Sequence, residues 1–263
     1  MPLNIAISNK YLFVTDSGNK RVAILTRSGS FIASFSGFAS ELSQPIGVAI
    51  DKQKRIYVSM LRGSKGEIMV FSGNSDFLYR FPQNLGDGSA IPNATLGKPV
   101  SLFSAGNLLY VTDVLDQDIK VYNLEGKLVL RFGRPGNKEG EFLYPNGIAV
   151  DKSGNIYVSD SNNARIQVFD KNGNFLYLFS GTEKDPLSLP RGIAIDKQER
   201  LHVVDSFKHK VFVFTKTGRL LFTYGGFGRT GDGLAYPNGI AIDRESGDIY
   251  IADKLNNRIS VWR

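Results

Sequence analysis

Three blocks decide the fold: Pro145-Asn146-Gly147-Ile148-Ala149-Val150-Asp151, then Gly154-Asn155-Ile156-Tyr157-Val158-Ser159-Asp160, then Asn162-Asn163-Ala164-Arg165-Ile166-Gln167-Val168-Phe169. None of them stands alone. The first recurs as Pro237-Asn238-Gly239-Ile240, Pro190-Arg191-Gly192-Ile193 and Pro45-Ile46-Gly47-Val48, with looser copies at Pro99-Val100-Ser101-Leu102 and Pro2-Leu3-Asn4-Ile5. The block at 156–160 has counterparts at 12–16, 56–60, 109–113, 201–205 and 249–253. Asp16 to Asp253 spans five intervals of about 47 residues each, a period that belongs to stacked or radial repeats.

Each block is short, rich in Val, Ile, Tyr and Phe, and bounded by Gly, Asn and Asp, the signature of strands joined by hairpins. No segment keeps helical periodicity for three turns. The sequence therefore predicts an all-β chain, a six-bladed β-propeller of four-stranded antiparallel blades around a channel. It reads as a single domain over 1–263, with repeats at approximately 1–43, 44–97, 98–143, 144–188, 189–235 and 236–263. The last repeat stops at Trp262-Arg263, the end of a third strand, so the last blade is expected to lack its outer strand.

These blocks resemble the NHL repeat, most completely from Pro145 to Phe179, and the resemblance extends over essentially the whole chain. It is specific for fold and weak for function, because that family includes scaffolds, RNA binders and, in related six-bladed propellers, enzymes. It also implies closure of the ring by a strand upstream of Met1. The repeat set is similar to that of bacterial NHL proteins held outside the membrane by one N-terminal helix. On that likeness the expectation is an extracytoplasmic protein anchored through an upstream segment, the chain itself making no membrane contact.

Composition narrows the chemistry. The 263 residues include no cysteine, which excludes disulfides, thiolate metal sites and a cysteine nucleophile. No run approaches the 18 apolar residues of a membrane-spanning helix. The net charge is +7. On the face formed by inter-blade connectors and second-to-third-strand hairpins, however, acidic and basic residues are equal in number. Nucleic-acid affinity comes largely from neutralising phosphates, so RNA binding ranks third among the functional readings.

An Asp five residues before a basic residue recurs at Asp16/Arg21, Asp160/Arg165, Asp253/Arg258 and Asp205/Lys210. That spacing spans one hairpin and predicts a repeated cross-strand ion pair. The third repeat departs from it with Asp113, Asp116 and Asp118, which reads either as an oxygen-ligand site for Ca²⁺ or as a solvated acidic loop. The second has Met60 for the Asp and Glu67 for the Arg.

The residue after each repeat's Pro forms a ring at the channel mouth: Leu3, Ile46, Val100, Asn146, Arg191 and Asn238. Metal-dependent six-bladed lactonases require acidic and Asn ligands there. Asn146, Arg191 and Asn238 are thus candidate ligand-binding residues, with a lactonase or hydrolase as the second functional reading. Of the two histidines, His202 replaces a strand Tyr and is expected to pack in its blade, and His209 lies in a hairpin. Zinc lyases with several histidines and serine nucleophiles on a Gly-x-Ser-x-Gly elbow are not matched.

Connectors remain. The longest runs from Phe81 to Pro99 and contains Gly86-Asp87-Gly88 and Asn93-Ala94-Thr95; two others bring Phe142 and Tyr144, then Phe227 and Tyr236, toward one face. Aromatic anchors on a rigid scaffold are typical of protein or peptide contact. The leading expectation is a non-enzymatic binding or scaffold propeller with a protein or peptide partner, without cofactor unless the acidic triplet holds Ca²⁺.

Overall fold

Within each repeat the strands pair in chain order, so that local hairpins build every sheet. In the fourth blade these are Pro145–Val150, Ile156–Asp160, Arg165–Phe169 and Phe175–Phe179. Five blades have four antiparallel strands, and the sixth has three: Ile240–Ile242, Ile249–Asp253 and Arg258–Trp262. The computed structural model describes residues 1–36, 44–62, 65–82 and 95–263. Most of the long connector falls outside them, including Gly86-Asp87-Gly88 and Asn93-Ala94. The expected six-bladed propeller, with three strands in its last blade, is observed.

The core lies between blades. One cluster joins Tyr157, Ile166 and Val168 of the fourth blade to Ile193, Val203, Phe212 and Phe214 of the fifth. Equivalent clusters fill the other junctions, because strands buried on both faces expose apolar side chains to both neighbours. The ring closes the same way. Ile5, Leu12 and Val14 of the first blade pack on Tyr250 and Ala252 of the sixth. Asn238 Nδ2 donates to the Leu3 carbonyl at 2.9 Å, and Arg27 ion-pairs with Asp243.

The Pro-x-Gly motif sets how closely blades approach. In the fourth blade the ladder pairs Pro145 with Asp160 and Ile148 with Val158, so Asn146-Gly147 is an irregularity that re-aims the residue after Pro toward the axis. A Cβ on Gly147 would lie 2.0 Å from the Arg191 carbonyl oxygen of the next blade, and one on Gly239 would lie 2.7 Å from the Leu3 oxygen. Glycine is therefore a packing requirement at these positions. Second-strand hydroxyls add a bond across the same seam: Thr15 Oγ1 donates to the Ile46 carbonyl at 2.8 Å, and Thr112 Oγ1 to that of Asn146 at 3.1 Å. Gly147→Ala is expected to cost about 3 kcal/mol by overpacking a backbone that has nowhere to move, read as a lowered urea midpoint.

Candidate functional site

The recurring spacing of Asp and Arg produces more than a hairpin clamp. Asp160 is buried and accepts from Arg165 Nε at 2.8 Å, from Asn163 Nδ2 at 2.8 Å and from the Leu143 backbone N–H at 2.7 Å. Arg165 then donates to the carbonyls of Asn137 at 2.8 Å, Lys138 at 2.6 Å and Glu141 at 3.0 Å. One carboxylate thus ties the hairpin to the connector arriving from the preceding blade. Asp253 repeats this with Arg258 Nε at 2.9 Å and the Ala235 N–H at 2.7 Å. Asp16 and Arg21 pair at 3.0 Å.

The fourth expected pair does not form. Lys210 faces Asp205 in register but its ammonium reaches Asp185 in the connector. Asp205 spends its oxygens on connector and hairpin amides, with Ser188 N–H at 2.6 Å and Lys208 N–H at 3.0 Å. A lysine's flexible, single-point donor favours the reachable connector carboxylate over the fixed geometry that arginine uses. Asp160→Asn leaves the Arg165 charge buried without its counter-ion. About 3 kcal/mol of stability is expected to be lost, measurable by denaturant unfolding.

The acidic triplet of the third blade is drawn together, but around a lysine. Lys120 is fully buried, and its Nζ lies 2.9 Å from Asp113, 2.5 Å from Asp116 and 3.0 Å from Asp118. Arg131 Nε adds a contact to Asp118 at 2.5 Å. The ligand atoms of Asp113, Asp116 and Asp118 lie within 4.8 Å of one another, but the Lys120 ammonium stands among them, so a Ca²⁺ there would have to displace it. Burial pushes the Asp113 carboxyl up, but the Lys98 N–H and the Lys120 ammonium bring it below its ordinary value. Burial likewise depresses Lys120, and the carboxylates more than reverse that. The second blade uses the same substitution, Glu67 pairing with Arg80 at 2.6 Å.

The mouth ring is also different from a metal site. Arg191 Nη1 donates to Asn146 Oδ1 at 2.5 Å, occupying the atom a cation would need. Asn146 Nδ2 donates to the Tyr144 carbonyl at 2.8 Å and Ser161 Oγ at 3.0 Å. Asn238 is engaged in ring closure. No carboxylate joins the ring. Asn146, Arg191 and Asn238 line one channel, as expected, but do not fit a divalent ion.

Among the connector aromatics, Phe142 is buried and packs at 5.6 Å from the Phe169 ring. It staples its connector to the blade and offers no surface to a partner, which corrects its assignment as a contact residue. Tyr144 and Tyr236 behave alike. Both are exposed and both take the left-handed backbone region, φ 57° and 49°, uncommon for a bulky residue. Each is held there by the preceding blade's hairpin: the Tyr144 N–H donates to Gln117 Oε1 at 2.6 Å and the Tyr236 N–H to His209 Nδ1 at 3.0 Å.

Tyr236 belongs to a larger cluster. The His209 ring lies 4.6 Å from that of Tyr236 and 4.9 Å from that of Phe227, while the Phe207 ring lies 6.1 Å from that of Tyr236. Phe227 is 69% exposed and Phe207 57%. Phe207 and His209 are absent from the sequence-based candidates. The signal was available: two residues after the blade Asp, Gly18 and Asn162 are polar-turn choices, whereas Leu115, Phe207 and Leu255 are apolar and exposed. Burial lowers the His209 pKa, against the attraction of Asp205 and Asp253, and Nδ1 acts as an acceptor. NMR titration is expected to give a His209 midpoint below the ordinary 6.5, with the Tyr236 amide shift following the same curve.

The NHL repeat family model matches residues 142–169 and 234–262. These two stretches are NHL repeats, set in a six-bladed β-propeller. It is 29% identical over 124 residues, 47% of its length, to "Protein brain tumor" of Drosophila melanogaster, of which the match covers 8%. Among solved structures it is similar to XC5397, a gluconolactonase from Xanthomonas campestris, with a TM-score of 0.68 and 18% identity. That alignment covers 95% of this chain and 82% of the other. It is also similar to a chain of a nidogen/laminin complex, with a TM-score of 0.66 and 18% identity over 97% of this chain and 94% of that one. At these identities the structural likeness shows the fold alone.

Proposed function

We propose that this NHL propeller is a non-enzymatic binding module whose connector face takes up a protein or peptide. The observation that carries the reading is the contiguous aromatic patch of Phe207, His209, Phe227 and Tyr236. Two of its rings are more than half exposed. Large aromatics held rigidly in solvent lose little entropy on binding and supply much contact area, the properties of interface anchors. Tyr144, Leu115 and Leu255 extend apolar exposure around the same face.

The node of Asp and Arg explains the rigidity. Connectors fixed by buried charge-assisted bonds need little reordering when a partner docks, and preorganisation of this kind raises affinity. The hydrolase reading gains nothing from the mouth ring, which does not fit a divalent ion. RNA binding remains behind because charge on the connector face is balanced.

Selection of a displayed peptide library against the native chain, followed by calorimetry of the enriched peptides, tests the proposal. Phe227→Ser with Phe207→Ser is expected to weaken those peptides at least about tenfold, 1.4 kcal/mol, with the melting temperature unchanged. Selected peptides that bind the double variant as tightly as the native chain would move the interface elsewhere.

A further inference from the structure

The axial channel has a volume of about 860 Å³ and is walled by the first strands of the six blades. That falls in the size range of small-molecule sites. Its lining is mixed, with the partly exposed apolar residues Leu3, Ile7, Ile50, Val100 and Ile242 beside polar groups such as Asn4. From Arg191 to Ile195 the strand runs four residues, about 13 Å at 3.3 Å per residue.

At the connector end of this channel sits Arg191. It is partly buried, and it makes no ion pair with any carboxylate among the described residues. Its one hydrogen bond is from Nη1 to Asn146 Oδ1. The Nε–Nη2 edge of the guanidinium makes no bond to any of the described residues. That edge is the planar fork that receives a carboxylate bidentately. Burial alone lowers the Arg191 pKa from its ordinary value, with no carboxylate to offset it.

The rest of the lining has the same sign. Lys98 and Lys254 flank the connector end, and Lys152, which pairs with Glu199 at 3.5 Å, and Arg244 the other, against a single acidic lining residue among the described residues, Asp151. Asp151 is already satisfied by Asn155 Nδ2 at 3.0 Å and Tyr157 Oη at 3.2 Å. A half-buried cation without a counter-ion is costly unless something supplies one.

We infer that the channel binds an amphipathic monocarboxylate, its head on the free edge of Arg191 and its aliphatic body along the wall of first strands. This site is separate from the aromatic patch. Asn146 is a positioning residue for it, holding Arg191 at the mouth through Nη1.

Calorimetry of the full chain at pH 7.5 with octanoate, octan-1-ol and acetate tests the assignment. Octanoate is expected to saturate one site, with octan-1-ol and acetate each at least tenfold weaker because one lacks the charge and the other the body. Arg191→Gln is expected to reduce octanoate affinity at least tenfold. Ile46→Trp, which fills the mouth while leaving Arg191 intact, is expected to abolish it; this variant decides the matter should Arg191→Gln fail to fold. Equal binding of octanoate and octan-1-ol, octanoate binding unchanged in a folded Arg191→Gln or in Ile46→Trp, or no saturable octanoate binding by the native chain would each overturn the proposal.

Discussion

A buried carboxylate at the end of the second strand, present in five of the six blades, is the interaction on which the rest depends. In the fourth blade it is Asp160, in the sixth Asp253, each bonded to an arginine across the hairpin and to a backbone N–H of the incoming connector. A buried ion pair is weak evidence for stability by itself, since desolvation offsets much of its attraction. Here it does positional work. The arginine's remaining donors are used up on connector carbonyls, so the loop is fixed through polar groups that would otherwise need water. The third blade keeps the design while exchanging its parts, with Lys120 bound among three aspartates and Arg131 paired with one of them.

Two proposed binding surfaces follow from these fixed loops. Connectors that cannot drift hold Tyr144 and Tyr236 in backbone conformations that tyrosine rarely adopts, and Tyr236 completes a patch built jointly by the fifth and sixth blades. The same connectors deliver the chain into Pro-x-Gly, whose irregular ladder turns the middle residue toward the axis. Asn146 and Arg191 thereby meet across a blade seam. The outer patch is apolar and aromatic; the inner mouth is cationic. Their chemistries differ enough that neither predicts the other's ligand.

Much of the fold was legible in the sequence because the repeats say the same thing six times. Ile, Val and Tyr blocks, Gly at the seam and Asp five residues before Arg give strand, packing and hairpin together. What was not legible depended on contacts between repeats. Lys120 stands where other blades have Ala23, Met69, Gln167, Phe212 or Ser260, and nothing in its spacing shows that it points into the acidic triplet. Phe142 and Phe227 are both connector aromatics, yet one is buried against Phe169 and the other is the most exposed ring of the patch. Arg191 and Asn146 were each visible, but their bond spans 45 residues and removes the oxygen on which a metal reading relied.

Native-state hydrogen exchange of the connector amides tests the central claim most directly. The N–H groups of Leu143, Ser188 and Ala235 lie in loops, where exchange is ordinarily fast. If the buried carboxylates fix the connectors, these three amides exchange with protection close to that of core strand amides such as Val158 and Val203. Exchange at the rate of an exposed loop, with the blade strands still protected, would contradict it.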